Sequence, residues 1–321
     1  MVDERPVVDP ILLSLVSSAT RAVAQDEIAF AVASPTRLGE LWSAKWRWES
    51  ARPRVALRVD LPATLLVPGA IHMSESWERF RFVPGPSGQG LEERRRSIES
   101  GFGGWLTANV RPAVSVGYDR WSEGRHFITM SAGLSVRGRN DRFRLEAAGT
   151  QASGLSGTRP WTGLDASARW ASALGIARSS WSARAGWSRV SEGTPLGAWP
   201  IAGTNFDWAI PLRAHPATRG GLIDPRSTGR RIAHAGVTAD RPVRRFGLLM
   251  VGAGAFIDGA GIMNPAEASA ATVWLLDAGA GLRVGVGDGR EGVFRIDWAR
   301  GLTDGRMALS VGLQREWPPF E

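Results

Sequence analysis

Apolar and polar residues alternate with a period of two through much of this chain, most regularly in its last third, residues 205–317. From Leu249 to Ile257 every second residue is apolar, and the segment Trp274–Val286 repeats the pattern. Successive side chains of a β-strand point to opposite faces of the sheet. Each segment is therefore predicted to be a strand with one apolar face and one face of glycine, serine, arginine and aspartate.

The distribution of charge between the two faces favours a membrane protein. A soluble sandwich would turn its charges outward around a bulky core, whereas here the apolar face is a continuous band. Lipid outside and a polar lumen inside require this inverted arrangement. No stretch approaches the ~18 continuous apolar residues of a membrane helix.

The sequence predicts an all-β, 16-stranded antiparallel transmembrane β-barrel. Most segments are near the ~10 residues that a tilted strand needs to cross a bilayer, and an even number is usual in bacterial single-chain barrels. The predicted strands are Asp26–Ser34, Glu40–Glu49, Arg54–Ala63, Ala70–Val83, Arg94–Gly103, Leu106–Trp121, Arg125–Gly138, Asp141–Ala152, Thr162–Ala173, Ser179–Val190, Asn205–Leu212, Arg230–Val243, Arg245–Gly259, Ala271–Gly287, Glu291–Arg300 and Arg306–Trp317.

Residues 1–24 differ from the rest of the chain. Ile11 to Ala19 is a short apolar core, and Ala22-Val23-Ala24 has the small-x-small form of a signal-peptidase site. The acidic segment before the core is atypical of a signal peptide, and a short N-terminal helix or plug segment is the alternative. We interpret residues 1–24 as a signal peptide and residues 25–321 as the barrel domain.

Charge and aromatic residues refine this picture. The chain carries a net charge of +8, and all but one of its 39 basic residues are arginines. They are spread singly through the strands instead of forming a basic stripe, so no nucleic-acid partner is predicted. The one charge run, Glu92 to Arg96, is interpreted as a solvated hairpin end.

Tryptophans near strand ends are typical of the aromatic girdles of a membrane barrel, and these are Trp42, Trp121, Trp161, Trp199 and Trp317.

The sequence carries no pattern that indicates catalysis. The four histidines, His72, His126, His215 and His234, show no metal-ligand spacing, and cysteine is absent. No Gly-x-Ser-x-Gly elbow is present. The glycines near Gly252 and Gly279 do not complete a nucleotide-binding loop and are expected to let strands curve or to let a loop approach the wall. We therefore predict no enzyme, no metal and no cofactor.

Three pieces of the last third resemble the C-terminal barrel half of the BamA/TamA superfamily, the bacterial surface antigen family. Gly254–Gly259 is similar to the family's strand that ends in Phe-x-Asp, and Ala278–Arg283 followed by Phe294–Ala299 is similar to its strands GxGLR and hRhDhA, where h is apolar. The loop starting at Pro211 resembles the sixth extracellular loop, whose usual core is Arg-Gly-Phe/Tyr. The resemblance covers about residues 205–317.

The resemblance implies that this loop folds into the lumen and that its arginine pairs with an inward aspartate. Arg213 is the preferred arginine, with Ala214 and His215 in place of the family's glycine and aromatic residue; Arg219 is the alternative, and both arginines being solvated is a third interpretation. An arginine and a carboxylate shielded from water pair strongly, and removing either leaves the other unpaired. The predicted site, here called the lumen lock, consists of Arg213, His215, Asp258, Asp277 and Asp297.

The same resemblance implies a function in outer-membrane protein insertion or translocation, in the bacterial outer membrane. The predicted strands and loops use up residues 25–321, so the chain resembles the short barrels without POTRA domains. Outer-membrane lipids surround such a barrel, and its candidate partners are client or partner outer-membrane proteins or separate periplasmic chains. The alternative is a passive pore or a structural partner barrel without insertase activity.

Overall fold

The computed structural model describes residues 26–64, 67–83, 90–138, 141–173, 175, 177–204, 212–265, 272–286 and 293–314, and these are predominantly β-structure. Within these ranges, seventeen strands form one sheet. They are β1 (Glu27–Ala33), β2 (Leu41–Arg47), β3 (Arg54–Thr64), β4 (Pro68–Phe82), β5 (Leu91–Gly104), β6 (Val110–Trp121), β7 (His126–Arg137), β8 (Phe143–Gly154), β9 (Trp161–Ala171), β10 (Ser180–Val190), β11 (Thr218–Arg219), β12 (Leu222–Ile223), β13 (Gly229–Phe246), β14 (Leu249–Pro265), β15 (Thr272–Val286), β16 (Val293–Gly301) and β17 (Met307–Gln314). In the part of the chain that the structure describes, no helix is long and apolar enough to cross a membrane.

The long strands pair antiparallel with their neighbours in chain order, which confirms the predicted all-β antiparallel class. The order runs from β1 to β10, passes directly to β13, and continues to β17. The strands β11 and β12 are two residues each and lie within the β10–β13 connection. Within the described ranges, β1 pairs only with β2 and β17 only with β16 among the long strands, so the sheet has two edges.

The predicted strand Asn205–Leu212 has no place in the sheet between β10 and β13, because those two strands bond directly to each other. Residues 205–211 lie outside the described residues. Leu212 is fully buried in a cluster with Ile232 and Ile262. An apolar stretch that packs on a sheet from a loop has the same composition as a buried strand, and periodicity does not separate the two.

In the hairpin β13–β14, the first strand is longer than predicted at both ends, and the second strand both begins and ends later than predicted. The turn of this hairpin is Gly247–Leu248, where Gly247 adopts a φ of 58°, and β14 continues to Pro265. The prediction ended the first strand at Val243, next to Pro242, which cannot donate to a strand ladder. A register shift between Pro242 and Arg244 accommodates the proline, and pairing resumes beyond it.

The sheet has an apolar outer face and a polar inner face. On β14, Ile257 is 56% exposed on the outer face, whereas Asp258 is 1% exposed on the inner face. Large exposed apolar side chains lie on the outer face of the other long strands as well, among them Phe30, Trp42, Leu57, Met73, Ile98, Val116, Met130, Trp181, Trp298 and Leu309. Exposed bulky apolar groups are thus outside and the buried charged groups inside, as the alternation predicts.

The inner face carries an aromatic cluster near the ends of β4, β6, β7 and β9. Phe80 stacks on Trp121 at 5.9 Å between ring centroids, and Phe127 meets Trp161 edge-on at 6.3 Å. Trp121 and Trp161 are only 2% and 8% exposed, so the prediction that they belong to an outer girdle is wrong. Trp42 is exposed, and Trp317 lies outside the described residues.

The charge run Glu92 to Arg96 lies in the first residues of β5, at the end of the β4–β5 hairpin, and the interpretation that the whole run is solvated is wrong. Glu93 and Arg95 point to the inner face, where the carboxylate of Asp119 accepts from Arg95 at 2.9 Å. The remaining residues of the run share the outer face. Alternating direction along a strand divides a continuous charge run between two environments.

Candidate functional site

The 38-residue connection between Val190 and Gly229 covers the inner face, and its described parts are residues 191–204 and 212–228. The two parts bond to each other. The amide of Ala202 donates to the carbonyl of Ser227 at 2.7 Å, and the amide of Ala217 donates to that of Thr204 at 3.1 Å. We call this connection the long loop. The described parts of the loop are therefore bonded to each other, and a single bridge between Ile223 and Phe82 joins the loop to β4.

Arg213 of the long loop is buried among acids of the sheet. Its Nε lies 3.2 Å from Oδ2 of Asp258, and its Nη1 lies 3.4 Å from Oδ2 of Asp297. These are close ion pairs whose N–H directions do not meet hydrogen-bond geometry. Its Nη2 donates a hydrogen bond of 3.0 Å to Thr238. With 2% exposure, the guanidinium is held by charge from β14 and β16 and by a hydroxyl from β13.

The ring of Phe256 forms the floor under Arg213. The guanidinium carbon lies 3.8 Å from the ring centroid, a cation–π contact. A Cβ on Gly279 would lie 2.6 Å from Cζ of that ring, so glycine gives the aromatic ring the room it needs. These glycines were predicted to let strands curve or to let a loop approach the wall; Gly279 makes room for the side chain on which the loop arginine rests.

Each acid that faces Arg213 has a second arginine. Asp258 accepts from Nη2 of Arg184 at 2.6 Å, and Asp297 accepts from Nη1 of Arg283 at 2.5 Å. Arg283 also donates its Nε to Asp240 at 2.8 Å. Arg283, Asp297 and Asp258 are each no more than 1% exposed. Charges buried to this degree need several partners each, and the alternation of acids and arginines supplies them.

Asp277 holds the backbone next to Arg213. Its carboxylate accepts the amide of Ala214 at 2.6 Å through one oxygen and lies 2.6 Å from Nδ1 of His215 through the other. Nε2 of His215 lies 3.2 Å from Oδ2 of Asp304, in the turn between β16 and β17. A protonated imidazole donates to both carboxylates.

The two carboxylates determine the charge of His215. Burial lowers the pKa of His215, but the hydrogen bonds and charges of Asp277 and Asp304 outweigh it, and the pKa is raised above its ordinary value. Burial raises the pKa of Asp304, but the amide of Arg306 and the contact with His215 outweigh that effect and hold the pKa below its usual range. Both shifts favour an ion pair between loop and turn.

A second attachment lies on the opposite part of the sheet. The amide of Gly197 donates to Glu93 at 2.6 Å, and Arg125 donates to the same carboxylate at 2.6 Å. A Cβ on Gly197 would lie 2.6 Å from Cδ2 of Phe80, so the backbone approaches the aromatic cluster closely. Ile201 and Ile223 are buried in that cluster. The long loop therefore contacts both the β4–β9 and the β13–β16 parts of the inner face.

The structure brings all five residues of the predicted lumen lock together, and it separates the two candidate arginines. Arg213 is buried among the acids, whereas Arg219 is exposed at the β11–β12 turn. Sequence reasoning missed five further members: Arg184, Thr238, Asp240, Arg283 and Asp304. Asp240 and Thr238 share the inward parity of their strand, which is the signal that could have found them. The sequence reasoning also missed Glu93, because the charge run that contains it was interpreted as solvent-facing.

Two of the other histidines, His72 and His126, have separate partners. His72 lies 3.1 Å from Glu99, and His126 bonds Tyr118 at 2.6 Å. No group of three or more His, Cys, Asp or Glu side chains that could hold a metal ion occurs among the described residues.

No protein-family model and no curated protein matches this sequence. The chain is similar to several solved structures. BamA from Haemophilus ducreyi lacking POTRA domains 1–3 matches with a TM-score of 0.63 and 10% identity over 90% of this chain and 67% of that chain. CdiB from Escherichia coli matches with a TM-score of 0.60 and 15% identity, and CdiB from Acinetobacter baumannii with 0.56 and 12%.

The fold is that of the BamA and CdiB barrels. The match covers 89% of this chain but 57% and 55% of the two CdiB chains, so the chain spans a little over half their length. The resemblance of the last third to the BamA/TamA superfamily is thus confirmed at the level of the fold.

Proposed function

We propose that this chain is a bacterial outer-membrane barrel that acts in protein insertion or translocation, with Arg213 of the long loop held in its lumen. The contact that carries the proposal is the buried pairing of Arg213 with Asp258 and Asp297. It occurs in the fold that BamA and CdiB share, and in the loop that resembles the family's sixth extracellular loop. The exposed apolar outer face supports contact with lipid.

The proposed role of the lumen lock is to hold the long loop inside while client proteins bind at the seam, the junction between the first strand β1 and the last strand β17. Among the described residues, the edge strands β1 and β17 have one long-strand partner each, and they are seven and eight residues long. An edge strand presents unpaired amides and carbonyls that can bond an additional strand. A client strand of a protein being inserted or exported would use these groups, and the anchored loop would keep the lumen filled meanwhile.

The seam is tested by closing it covalently. The chain has no cysteine, so the double variant Phe30→Cys/Leu309→Cys would carry the only two thiols. Purified barrel in liposomes is given an unfolded outer-membrane protein, and its conversion to the compact, heat-modifiable form is followed. We expect acceleration of folding by the wild type and by the reduced variant, and loss of most of it when a bifunctional thiol reagent joins β1 to β17.

The control places the same two cysteines on paired strands away from the seam, as Ile257→Cys/Ala278→Cys, which lie opposite each other in register. Linking these should leave acceleration unchanged. Equal acceleration with the seam open and closed, or none by the wild type, would refute an insertase that works at this seam.

A passive pore is the second candidate, and one row of inner-face arginines favours it. Arg137 lies opposite Arg144, Arg144 opposite Arg169, and Arg169 opposite Arg184, across the four consecutive strands β7 to β10. The row lies toward the end of the sheet away from the long loop. Like charges directly opposite each other are destabilising, so the row would attract anions from solution.

A measurement of ion selectivity tests whether the protein is a passive pore. In planar bilayers under a salt gradient, a passive pore lined by this row should be anion-selective, and Arg144→Ser/Arg169→Ser should move the reversal potential toward zero. The matched control is Arg189→Ser/Arg231→Ser, which removes another directly opposed pair from the outer face. An equal shift in both variants, or a cation-selective wild type, would argue against a pore lined by these arginines.

A further inference from the structure

A group of arginines lies on the outer face where β4, β5 and β6 end next to the long loop. Its members, here called the rim patch, are Arg79, Arg81, Arg94, Arg96 and Arg120. Strand parity places each of them on the same face as the exposed apolar residues. Arg94 and Arg96 have side chains that are 64% and 60% exposed. The patch is therefore directed away from the lumen.

The register sets like charges against each other in the rim patch. Arg79 lies directly opposite Arg94, and Arg96 lies directly opposite Arg120. Such pairs destabilise a sheet unless anions lie between them. Glu92 lies 2.9 Å from Arg94, and Glu75 lies 2.7 Å from Arg96. Two carboxylates thus face five guanidinium groups, and the patch retains an excess of positive charge.

The surroundings of the rim patch indicate the kind of anion. Trp77 and Tyr118 are 44% and 40% exposed on the same face, at the level where the arginines end. Below them the outer face continues as Met73, Ile98 and Val116, which are 57%, 47% and 51% exposed. Aromatic side chains between an apolar band and a charged rim are typical of the boundary between acyl chains and headgroups.

We propose that the rim patch binds the phosphate groups of anionic lipid headgroups in the leaflet on the long-loop side. The guanidinium fork suits phosphate oxygens, and a row of such groups suits a lipid with more than one phosphate. The acyl chains of the same lipid would pack against the apolar band directly below the patch. A soluble polyanion would use the arginines but not this band, which is why lipid is the partner assigned.

This inference rests on the proposed membrane location, but its test does not require insertion. Full-length protein in neutral detergent micelles is mixed with lipid A, which carries two phosphates, and the retained lipid is counted by native mass spectrometry. We expect retention of lipid A over dephosphorylated lipid A. The variant Arg94→Ser/Arg96→Ser/Arg120→Ser should bind lipid A about 10- to 100-fold more weakly, since each arginine near an anionic surface contributes about 1 kcal/mol and 1.4 kcal/mol is tenfold.

The control removes the same charge from the opposite rim, as Arg241→Ser/Arg244→Ser/Arg245→Ser, three exposed residues of β13. It should bind lipid A as the wild type does. Equal weakening in both variants, binding of lipid A and its dephosphorylated form alike, or competition by inorganic phosphate as strong as by lipid A would overturn the proposal. Failure to insert into vesicles, with the lipid preference intact, would instead refute the membrane role and leave the patch standing.

Discussion

Arg213→Ala is expected to destabilise the folded barrel by about 3 kcal/mol or more, the range for removing one partner of a buried ion pair. The substitution leaves Asp258 and Asp297, each no more than 1% exposed, with one fewer cation nearby. It also opens a space above the ring of Phe256, which loses its cation–π contact. Urea unfolding in lipid vesicles, followed by tryptophan fluorescence and by gel mobility without heating, measures the change.

A double-mutant cycle separates the energy of the ion pair between Arg213 and Asp258 from the cost of the cavity above Phe256. Asp258→Asn keeps the volume of the acid and its contact with Arg184 but removes its charge. The double variant should be more stable than the sum of the single losses predicts, with a coupling of about 2 kcal/mol. Arg213→Lys should recover little of the loss, because one ammonium group cannot reach Asp258, Asp297 and Thr238 together.

Arg219→Ala is the matched control for a loop arginine. Arg219 is exposed at a short turn, and a surface substitution of this kind usually changes stability by less than about 0.5 kcal/mol. If Arg219→Ala destabilised the barrel as much as Arg213→Ala, the assignment of the lumen lock would fail. Zero coupling between Arg213 and Asp258 would remove Asp258 from the lumen lock and leave Asp297, Thr238 and Phe256 as the partners of Arg213.

The faces of the strands follow directly from the sequence. Asp258, Asp277 and Asp297 each fall on the parity opposite the apolar residues of their strand, and all three are buried on the inner face. This works because a strand's period is two whatever its neighbours are. The inward direction of Glu93 and Arg95 was missed because the limits of their strand were wrong. The strand begins three residues earlier than predicted.

The partners of those acids do not follow from strand pattern. Arg283 reaches Asp240 and Asp297 from a strand between theirs in space, and no spacing along the chain encodes that arrangement. Trp121 and Trp161 lie at strand ends, as girdle residues do, yet both have the inward parity of their strands, and Ile201 and Ile223 of the long loop pack in the same cluster. Position at a strand end therefore does not identify a girdle residue unless the strand parity also directs it outward.

Docking of the segment around His215 is expected to weaken as the pH rises. The folded protein raises the pKa of His215 through Asp277 and Asp304, so it favours the protonated ring. That contribution to stability is complete below the ordinary histidine pKa of about 6.5 and is lost as the pH rises through the folded pKa. Above it, a neutral ring serves two carboxylates at 2.6 and 3.2 Å, and only one of them can receive its single N–H.

Amide hydrogen exchange measures this loss, because Asp277 accepts the amide of Ala214. After correction for intrinsic rates, protection of residues 212–217 should fall several-fold between pH 6 and pH 9, while the amide of Gly197 on Glu93 should keep its protection. In His215→Gln the dependence on pH should disappear and protection should stay low throughout. If the wild type held constant protection across this range, or if His215→Gln kept the same slope, the histidine would not be the group that ties docking of the long loop to pH.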